Sequence, residues 1–186
     1  VPLLGEKGAG GESRTLKIEM KLMGDVGIVG MPNAGKSTLV SVCSAAKPKI
    51  ADYPFTTIQP VLGVVQRNYE DFLLVEIPGL IEGAHSGVGL GIDFLRHAER
   101  TRVLWHLVDG INEDILPRIE SINKELKSFS DDLSLKPQII VINKMDVTDA
   151  RGNFSRYEKG LNDLGVPVFK ISAVARSGLE PLINKT

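Results

Sequence analysis

The sequence contains a single cysteine, and this scarcity excludes several kinds of protein. Cys43 has no second cysteine to pair with in these 186 residues, so an internal disulfide is excluded and a reducing, cytoplasmic location is expected. No apolar run approaches the length of a membrane span, and no signal-peptide pattern opens the chain. A net charge of −1 gives no overall argument for binding to nucleic acid or to acidic membranes. Only a local basic patch could bind such partners.

The remaining composition suits a globular domain. Hydrophobic residues make up 42% and charged residues 24% of the sequence, which is enough apolar material for one sizeable core. The glycine-rich start, residues 1–15, is interpreted as a linker or as the edge of a missing upstream domain. The chain begins with Val1 rather than Met, so we expect it to be a piece of something longer. Residues 16–186 are predicted to form the functional domain.

The stretch from Asp25 to Thr38 carries the strongest chemical signal. It combines a short apolar strand, a turn bounded by Gly30 and Gly35, and a helix start in the pattern Gly-x-x-x-x-Gly-Lys-Ser. Glycines let successive backbone N–H groups face an anion, and a helix N-terminus adds free N–H groups. Lys36 can then reach phosphate oxygens, while the Ser37 hydroxyl can ligate Mg²⁺. The pattern predicts a nucleotide site; the alternative is an ordinary strand–turn–helix with a glycine-rich bend.

A second motif, Asn143-Lys144-Met145-Asp146, directly follows a predicted buried strand. The Asp146 carboxylate can accept hydrogen bonds from N1–H and the exocyclic amine of guanine, a pair of donors that adenine lacks. Asn143 is expected to tie this loop to neighbouring backbone, and the Lys144 stem to lie along the base plane. Alone, the motif could be a solvated turn. Together with the phosphate loop upstream, it indicates a guanine nucleotide and disfavours an ATPase.

The strand and helix patterns predict an α/β fold. Alternating elements follow an antiparallel hairpin, as is typical of parallel strands joined by right-handed crossovers. We expect a six-stranded, mostly parallel sheet with one antiparallel edge strand, helices on both faces, and ligands beyond the carboxyl ends of the strands. The predicted strands are 26–29, 61–66, 72–77, 103–108, 139–142 and 166–171. One predicted helix begins near 36, and the others cover 92–100, 115–126, 155–164 and 179–183.

Five segments together resemble a known family. GMPNAGKST, YPFTT, EIPGLIEGA, NKMD and SAVARSG are similar to the motifs of GTPases of the translation-factor class. The pattern GxGLGxxFLRHxERTRVLxHLVD resembles the Obg subfamily closely, and the resemblance extends over nearly all of residues 16–180. It implies a P-loop NTPase fold of the Ras-like G-domain type. It also implies an enzyme that binds GTP and GDP with Mg²⁺ and hydrolyses GTP slowly as a molecular switch.

The resemblance assigns roles to individual residues. The Thr57 hydroxyl would join Mg²⁺, its N–H and that of Gly79 would meet the γ-phosphate, and the family usually has Asp where this chain has Glu76. Glu76 as a plain strand-end charge, and Thr56 and Thr57 as ordinary strand residues, stay open. The implied metal ligands are Ser37, Thr57 and Glu76. The implied nucleotide-binding residues are Gly30, Asn33, Ala34, Gly35, Lys36, Ser37, Thr38, Thr57, Gly79, Asn143, Lys144, Asp146, Ser172 and Ala173.

Leu80 occupies the position where Ras-like enzymes have a water-orienting glutamine. Leucine cannot orient water, so slow intrinsic turnover is expected, and no catalytic residue is assigned. A K⁺ ion near Asn33 is one candidate for the missing stabilisation, because some relatives with asparagine there use a monovalent cation. The alternative for Asn33 is a turn residue that caps its own loop.

The implied partners lie outside the nucleotide site. The resemblance implies a role with the large ribosomal subunit, which depends partly on the missing upstream domain, and sensitivity to guanine alarmones. A nucleotide-gated interaction module with negligible hydrolysis is the alternative function, and Leu80 and Glu76 are the residues that keep it open.

Overall fold

The computed structural model describes residues 8, 10–16, 24–50, 60–67, 70–77, 95 and 98–186. Within these residues the strands are β1 (Val26–Val29), β2 (Lys49–Ile50), β3 (Val61–Arg67), β4 (Glu70–Glu76), β5 (Val103–Asp109), β6 (Gln138–Asn143) and β7 (Val168–Lys170). The helices are α1 (Lys36–Cys43), α2 (Ile115–Phe129), α3 (Asp131–Ser134), α4 (Thr148–Asp163) and α5 (Leu179–Lys185).

The described strands form one seven-stranded sheet in the order β2-β3-β4-β1-β5-β6-β7. The pairs β4–β1, β1–β5, β5–β6 and β6–β7 are parallel, whereas β3 is antiparallel to both β2 and β4. The carboxyl ends of the parallel strands therefore meet at one edge of the sheet. Four of these strands end there in a polar or charged residue, namely Glu76, Asp109, Asn143 and Lys170.

Apolar side chains cover both faces of the sheet. Trp105 lies on the face that α1 and α5 cover; it is fully buried and packs edge-on against Phe72, with ring centroids 6.2 Å apart. Trp105 is therefore a core residue. On the opposite face, α2 is buried through residues spaced three or four apart, as an amphipathic helix requires: Ile115, Ile119, Ile122 and Leu126. No helix in the described part of the chain combines the length and apolar character needed to cross a bilayer.

The prediction of six strands is wrong in number. The structure adds β2, whose two residues pair with Leu62 and Val61, and this makes β3 the second strand from the edge instead of the edge itself. Two exposed residues are too few to show the alternation by which a strand is recognised in a sequence. The hairpin β3–β4 is confirmed, and so is the parallel arrangement of β4, β1, β5, β6 and β7.

Two further elements differ clearly from the prediction, and a third lies mostly outside the described residues. Helix α4 begins at Thr148 rather than at 155. Its first turns are buried partly through a polar residue, Asn153, whose side-chain amide donates to the carbonyl oxygens of Gly110 and Ile111 at 3.2 and 2.9 Å. Such a residue hides the helical period from a hydrophobicity pattern. Strand β7 spans three residues rather than 166–171. In the predicted helix 92–100, residues 95, 98 and 99 are helical, and most of the others lie outside the described residues.

Candidate functional site

The predicted phosphate loop joins β1 to α1 at the carboxyl edge of the sheet. Gly35 has a φ of 97°, in the left-handed region, and a Cβ there would come within 2.5 Å of Asn143 Nδ2. A Cβ at Gly30 would come within 2.3 Å of the Leu107 carbonyl oxygen. Gly30 is therefore required by the close approach of the β5 backbone, and Gly35 by its left-handed φ and by the Asn143 side chain. No side chain caps the first turn of α1, so its free N–H groups, including that of Thr38, are available to an anion.

Lys36 opens α1 and is buried against its own loop. Its Nζ donates to the carbonyl oxygens of Gly30 and Met31, at 2.9 and 3.1 Å. Burial lowers the pKa of Lys36, and the negative charge of Glu76 acts in the opposite direction. An ammonium has three protons, and the two carbonyls occupy two of them. The remaining proton can serve a phosphate oxygen without rearrangement of the loop.

Ser37 and Glu76 meet beside this lysine. The Ser37 hydroxyl donates to Glu76 Oε1 at 2.7 Å. Glu76 is 8% exposed, and its Oε2 has no hydrogen-bond partner among the described residues. A buried carboxylate oxygen without a donor is unfavourable unless a proton, a donor or a cation occupies the space near it. Hydroxyl and carboxylate oxygens are ligands that Mg²⁺ prefers, so the residues present fit this ion.

Asn143 joins the phosphate loop to the loop that follows β7. Its Nδ2 donates to the Ala34 carbonyl oxygen at 2.8 Å, and its Oδ1 accepts from the Ala173 N–H at 3.0 Å. The side chain is 3% exposed, so both bonds are shielded from water. These are the backbone contacts expected of Asn143. They hold the phosphate loop, the Asn-Lys-x-Asp loop and the Ser172–Ala173 loop in one arrangement.

Asp146 projects from this arrangement into solvent. The Ser172 hydroxyl donates to Asp146 Oδ1 at 2.6 Å and also accepts from the Ala175 N–H at 3.0 Å. The hydrogen bond from Ser172 is the main reason that the pKa of Asp146 lies below its usual value, and Arg151 and Lys144 lower it further. The carboxylate is therefore charged at neutral pH. It is oriented by its neighbours before any ligand arrives.

Asp109 belongs to this group of side chains, although no sequence motif predicts it. Asp109 ends β5, directly opposite Asn143 in the parallel register, and its Oδ2 accepts from Lys144 Nζ at 2.5 Å. The only sequence signal for it is a carboxylate at the carboxyl end of a predicted parallel strand. Asn33 lies in the phosphate loop, is exposed, and has a φ of 63°. Thr57, Gly79 and Leu80 lie outside the described residues.

Comparison with known proteins places this geometry in a family. Residues 25–144 match the family model described as "50S ribosome-binding GTPase". The chain is 57% identical over 180 residues to a GTPase Obg of Synechococcus sp. (strain JA-3-3Ab), in a match that covers 96% of this chain and 47% of that protein. It is 54% identical over 178 residues to a GTPase Obg of Thermosynechococcus vestitus, in a match that covers 95% of this chain and 54% of that protein. The chain thus spans about half the length of these curated relatives.

Comparison with solved structures identifies the fold as that of a GTPase G domain. The G domain of the T. maritima FeoB iron transporter superimposes with a TM-score of 0.67 and 24% identity, over 87% of this chain and 94% of that one. The predicted P-loop GTPase fold and the resemblance to Obg proteins are confirmed. The match to the family model extends from the phosphate loop to Asn143 and Lys144. The chain belongs to the family of 50S ribosome-binding GTPases.

Proposed function

We propose that this chain is the nucleotide-binding domain of an Obg-type GTPase, which binds GTP or GDP with Mg²⁺ and hydrolyses GTP slowly as a switch. The observation that carries the proposal is the double hydrogen bond of Asn143, to Ala34 and to Ala173. Through these two bonds, one buried side chain connects the loop that precedes Lys36 with the loops that contain Asp146 and Ser172. Phosphates and a guanine base can therefore be bound by the same edge of the sheet.

The phosphate half of the site comprises the residues of the loop and the start of α1. Backbone N–H groups and the Lys36 ammonium would hold the phosphates, and the Ser37 hydroxyl and the Glu76 carboxylate would face Mg²⁺. The residues assigned here are Gly30, Asn33, Ala34, Gly35, Lys36, Ser37 and Thr38. Within the described residues no group of three or more His, Cys, Asp or Glu side chains could hold a metal. Ser37 and Glu76 offer fewer oxygen ligands than the octahedral set that Mg²⁺ takes, so we expect the ion to bind together with the nucleotide phosphates.

The charge of Asp146 is expected to make the base half of the site selective for guanine over adenine. Asp146 would accept from the guanine N1–H and exocyclic amine, the Lys144 stem would lie along the ring, and the Ala173 region would meet the guanine carbonyl. Adenine has no donors that match the carboxylate, so it would leave this charge unpaired. Ser172 supports the arrangement by holding one oxygen of Asp146.

Hydrolysis is expected to be slow because Leu80 supplies no group that can orient water. Thr57 and Gly79 are proposed to contact the γ-phosphate and to release it after hydrolysis, which is how GTPase loops act as switches. The decisive measurement is GTP hydrolysis with Mg²⁺, in KCl and in NaCl, with and without ribosomes. We expect slow turnover in KCl that ribosomes accelerate. No turnover under any condition would favour a nucleotide-gated interaction module over an enzyme, and equal rates in the two salts would exclude K⁺ near Asn33.

Replacing Glu76 by Gln tests the metal ligands. The change removes the carboxylate charge next to Ser37 while it keeps the size of the side chain, so the apparent affinity for Mg²⁺ in the presence of GDP should fall roughly 10- to 100-fold. Release of a fluorescent GDP, measured over a Mg²⁺ titration, reports this directly. Glu70→Gln is the matched control, because Glu70 begins the same strand and is exposed. The same Mg²⁺ midpoint in both variants would contradict the assignment of Glu76.

The physiological partners are proposed from the relatives. Because the curated relatives are named GTPase Obg and the matching family is described as ribosome-binding, we propose that the full-length protein acts with the large ribosomal subunit in the cytoplasm. Residues 1–15 are proposed to lead from an upstream domain. Guanine alarmones are further candidate ligands, since they carry the same base and 5′-phosphates. Competition of alarmones with fluorescent GDP tests the last point in this chain alone.

A further inference from the structure

Lys144 is fixed at both of its ends. Its backbone is left-handed, with a φ of 65°, which costs a non-glycine residue about 1 kcal/mol or more and persists only where the surroundings enforce it. The Val147 N–H donates to the Lys144 carbonyl oxygen, and the Met145 N–H donates to the Ile171 carbonyl oxygen, each at 3.0 Å. At the other end, the ammonium donates to Asp109 Oδ2.

Asp109 is itself held in place. It is the last residue of β5, and its second carboxylate oxygen, Oδ1, accepts from the Ile111 N–H at 3.0 Å. Its side chain is 15% exposed, and that of Lys144 is 30% exposed, so the pair is only partly screened by water. Asp109 thus offers a rigid anchor for a flexible side chain.

We propose that Asp109 is a positioning residue for the nucleotide base, a role that rests on the proposed function. By holding the ammonium, Asp109 keeps the Lys144 stem extended as a preformed apolar surface for the flat face of a purine. A free lysine side chain loses up to about 2 kcal/mol of rotamer entropy when it is ordered. Ordering it before the ligand arrives moves that cost from binding to folding, and so strengthens binding.

This role predicts a specific pattern of binding. The stem contacts the ring face, which guanine and hypoxanthine share, whereas Asp146 contacts the ring edge, where they differ by the exocyclic amine. Loss of Asp109 should therefore weaken GDP and IDP by the same factor. A structural ion pair that is partly exposed would instead change stability slightly and leave nucleotide affinity unaltered.

The test is Asp109→Asn in this chain, which keeps an acceptor for the Ile111 N–H and removes the charge. Release of fluorescent GDP should become about 3- to 10-fold faster. The ratio of GDP to IDP affinity should stay unchanged, and the urea midpoint of the nucleotide-free chain should change only slightly. Asp114→Asn is the matched control: it breaks the exposed Asp114–Arg118 pair, whose N–O distance is 2.6 Å, and should leave GDP release unaltered.

A double-mutant cycle decides whether Asp109 acts through Lys144. In a Lys144→Met background, which keeps the stem and removes the ammonium, Asp109→Asn should have no further effect. An unaltered GDP release rate in Asp109→Asn, or the same acceleration in the Lys144→Met background, would overturn the inference alone. A wild-type chain that retains no GDP would overturn the proposed function, and this inference with it.

Discussion

Asp146→Asn should weaken binding of GTP by roughly 10²- to 10⁴-fold and should make XTP the preferred nucleotide. The carboxylate accepts two charge-assisted hydrogen bonds from guanine in the proposed complex, and the amide of asparagine would instead oppose these donors with its own. Xanthine carries a carbonyl where guanine has the exocyclic amine, so it can accept from the new amide. The amide oxygen of the substituted side chain can still accept from the Ser172 hydroxyl, so the surrounding loop should keep its arrangement.

Competition of GTP, XTP and ATP against a fluorescent nucleotide measures this change. Asp149→Asn is the control, because Asp149 lies in the first turn of α4, is exposed, and carries the same charge a short distance away. The control should bind GTP as the wild type does. If Asp146→Asn also retained wild-type affinity for GTP, the assignment of the guanine contact would be wrong.

The second large effect concerns stability and arises at His106. This residue lies in the central strand β5, pairs with Val29 and Ile140, and is fully buried. Burial lowers its pKa to about 4 from 6.5, while the Gln138 side chain acts in the opposite direction and less strongly. Protonation thus favours the unfolded chain. The contribution of His106 to stability is present in full above the unfolded pKa of 6.5 and is lost as the pH falls towards 4. Loss of this contribution should lower the free energy of unfolding by about 2 kcal/mol between pH 7 and pH 5.

Urea unfolding of the nucleotide-free chain at pH 5, 6 and 7 measures this dependence. His106→Leu places an apolar side chain on the same face as Leu104 and Val108, and it should remove most of the slope. The comparison cancels the contributions of other groups that titrate in both chains. Parallel pH dependences in wild type and variant would show that His106 is not responsible.

The sequence predicted those parts of the site that are contiguous in the chain. The phosphate loop and the Asn-Lys-x-Asp loop each consist of neighbouring residues whose types and spacing follow from the ligand, and each follows an apolar strand. Local chemistry and local structure agree there, so the pattern is sufficient. The motif predicts that Asn143 binds backbone, but its partners, Ala34 and Ala173, are distant in the chain and only the structure identifies them. The roles of Thr57 and Gly79 stay predictions.

What the sequence could not predict depends on pairing between distant segments. Strand β2 exists only because Lys49 and Ile50 lie next to β3, and their own side chains are exposed. Asp109 acquires its partner only when β5 and β6 lie side by side, which brings it opposite Asn143 and next to Lys144. A carboxylate at a strand end has no local signature of the residue it will contact. The sequence pattern does not show the start of helix α4, because one buried asparagine, Asn153, interrupts its apolar period.

The bridge that Asn143 makes also bears on how the sequence of this domain can vary. Both of its partners are main-chain atoms, the carbonyl oxygen of residue 34 and the N–H of residue 173, and every amino acid offers the first while all but proline offer the second. Substitutions at these two positions therefore need not be matched by a change at 143. Gly35 is constrained by the bridge, since any side chain there would collide with Asn143 Nδ2. The connection itself therefore restricts the residue type at 35 and 143, whereas at 34 and 173 the restriction comes from burial, since both alanines are 1% exposed.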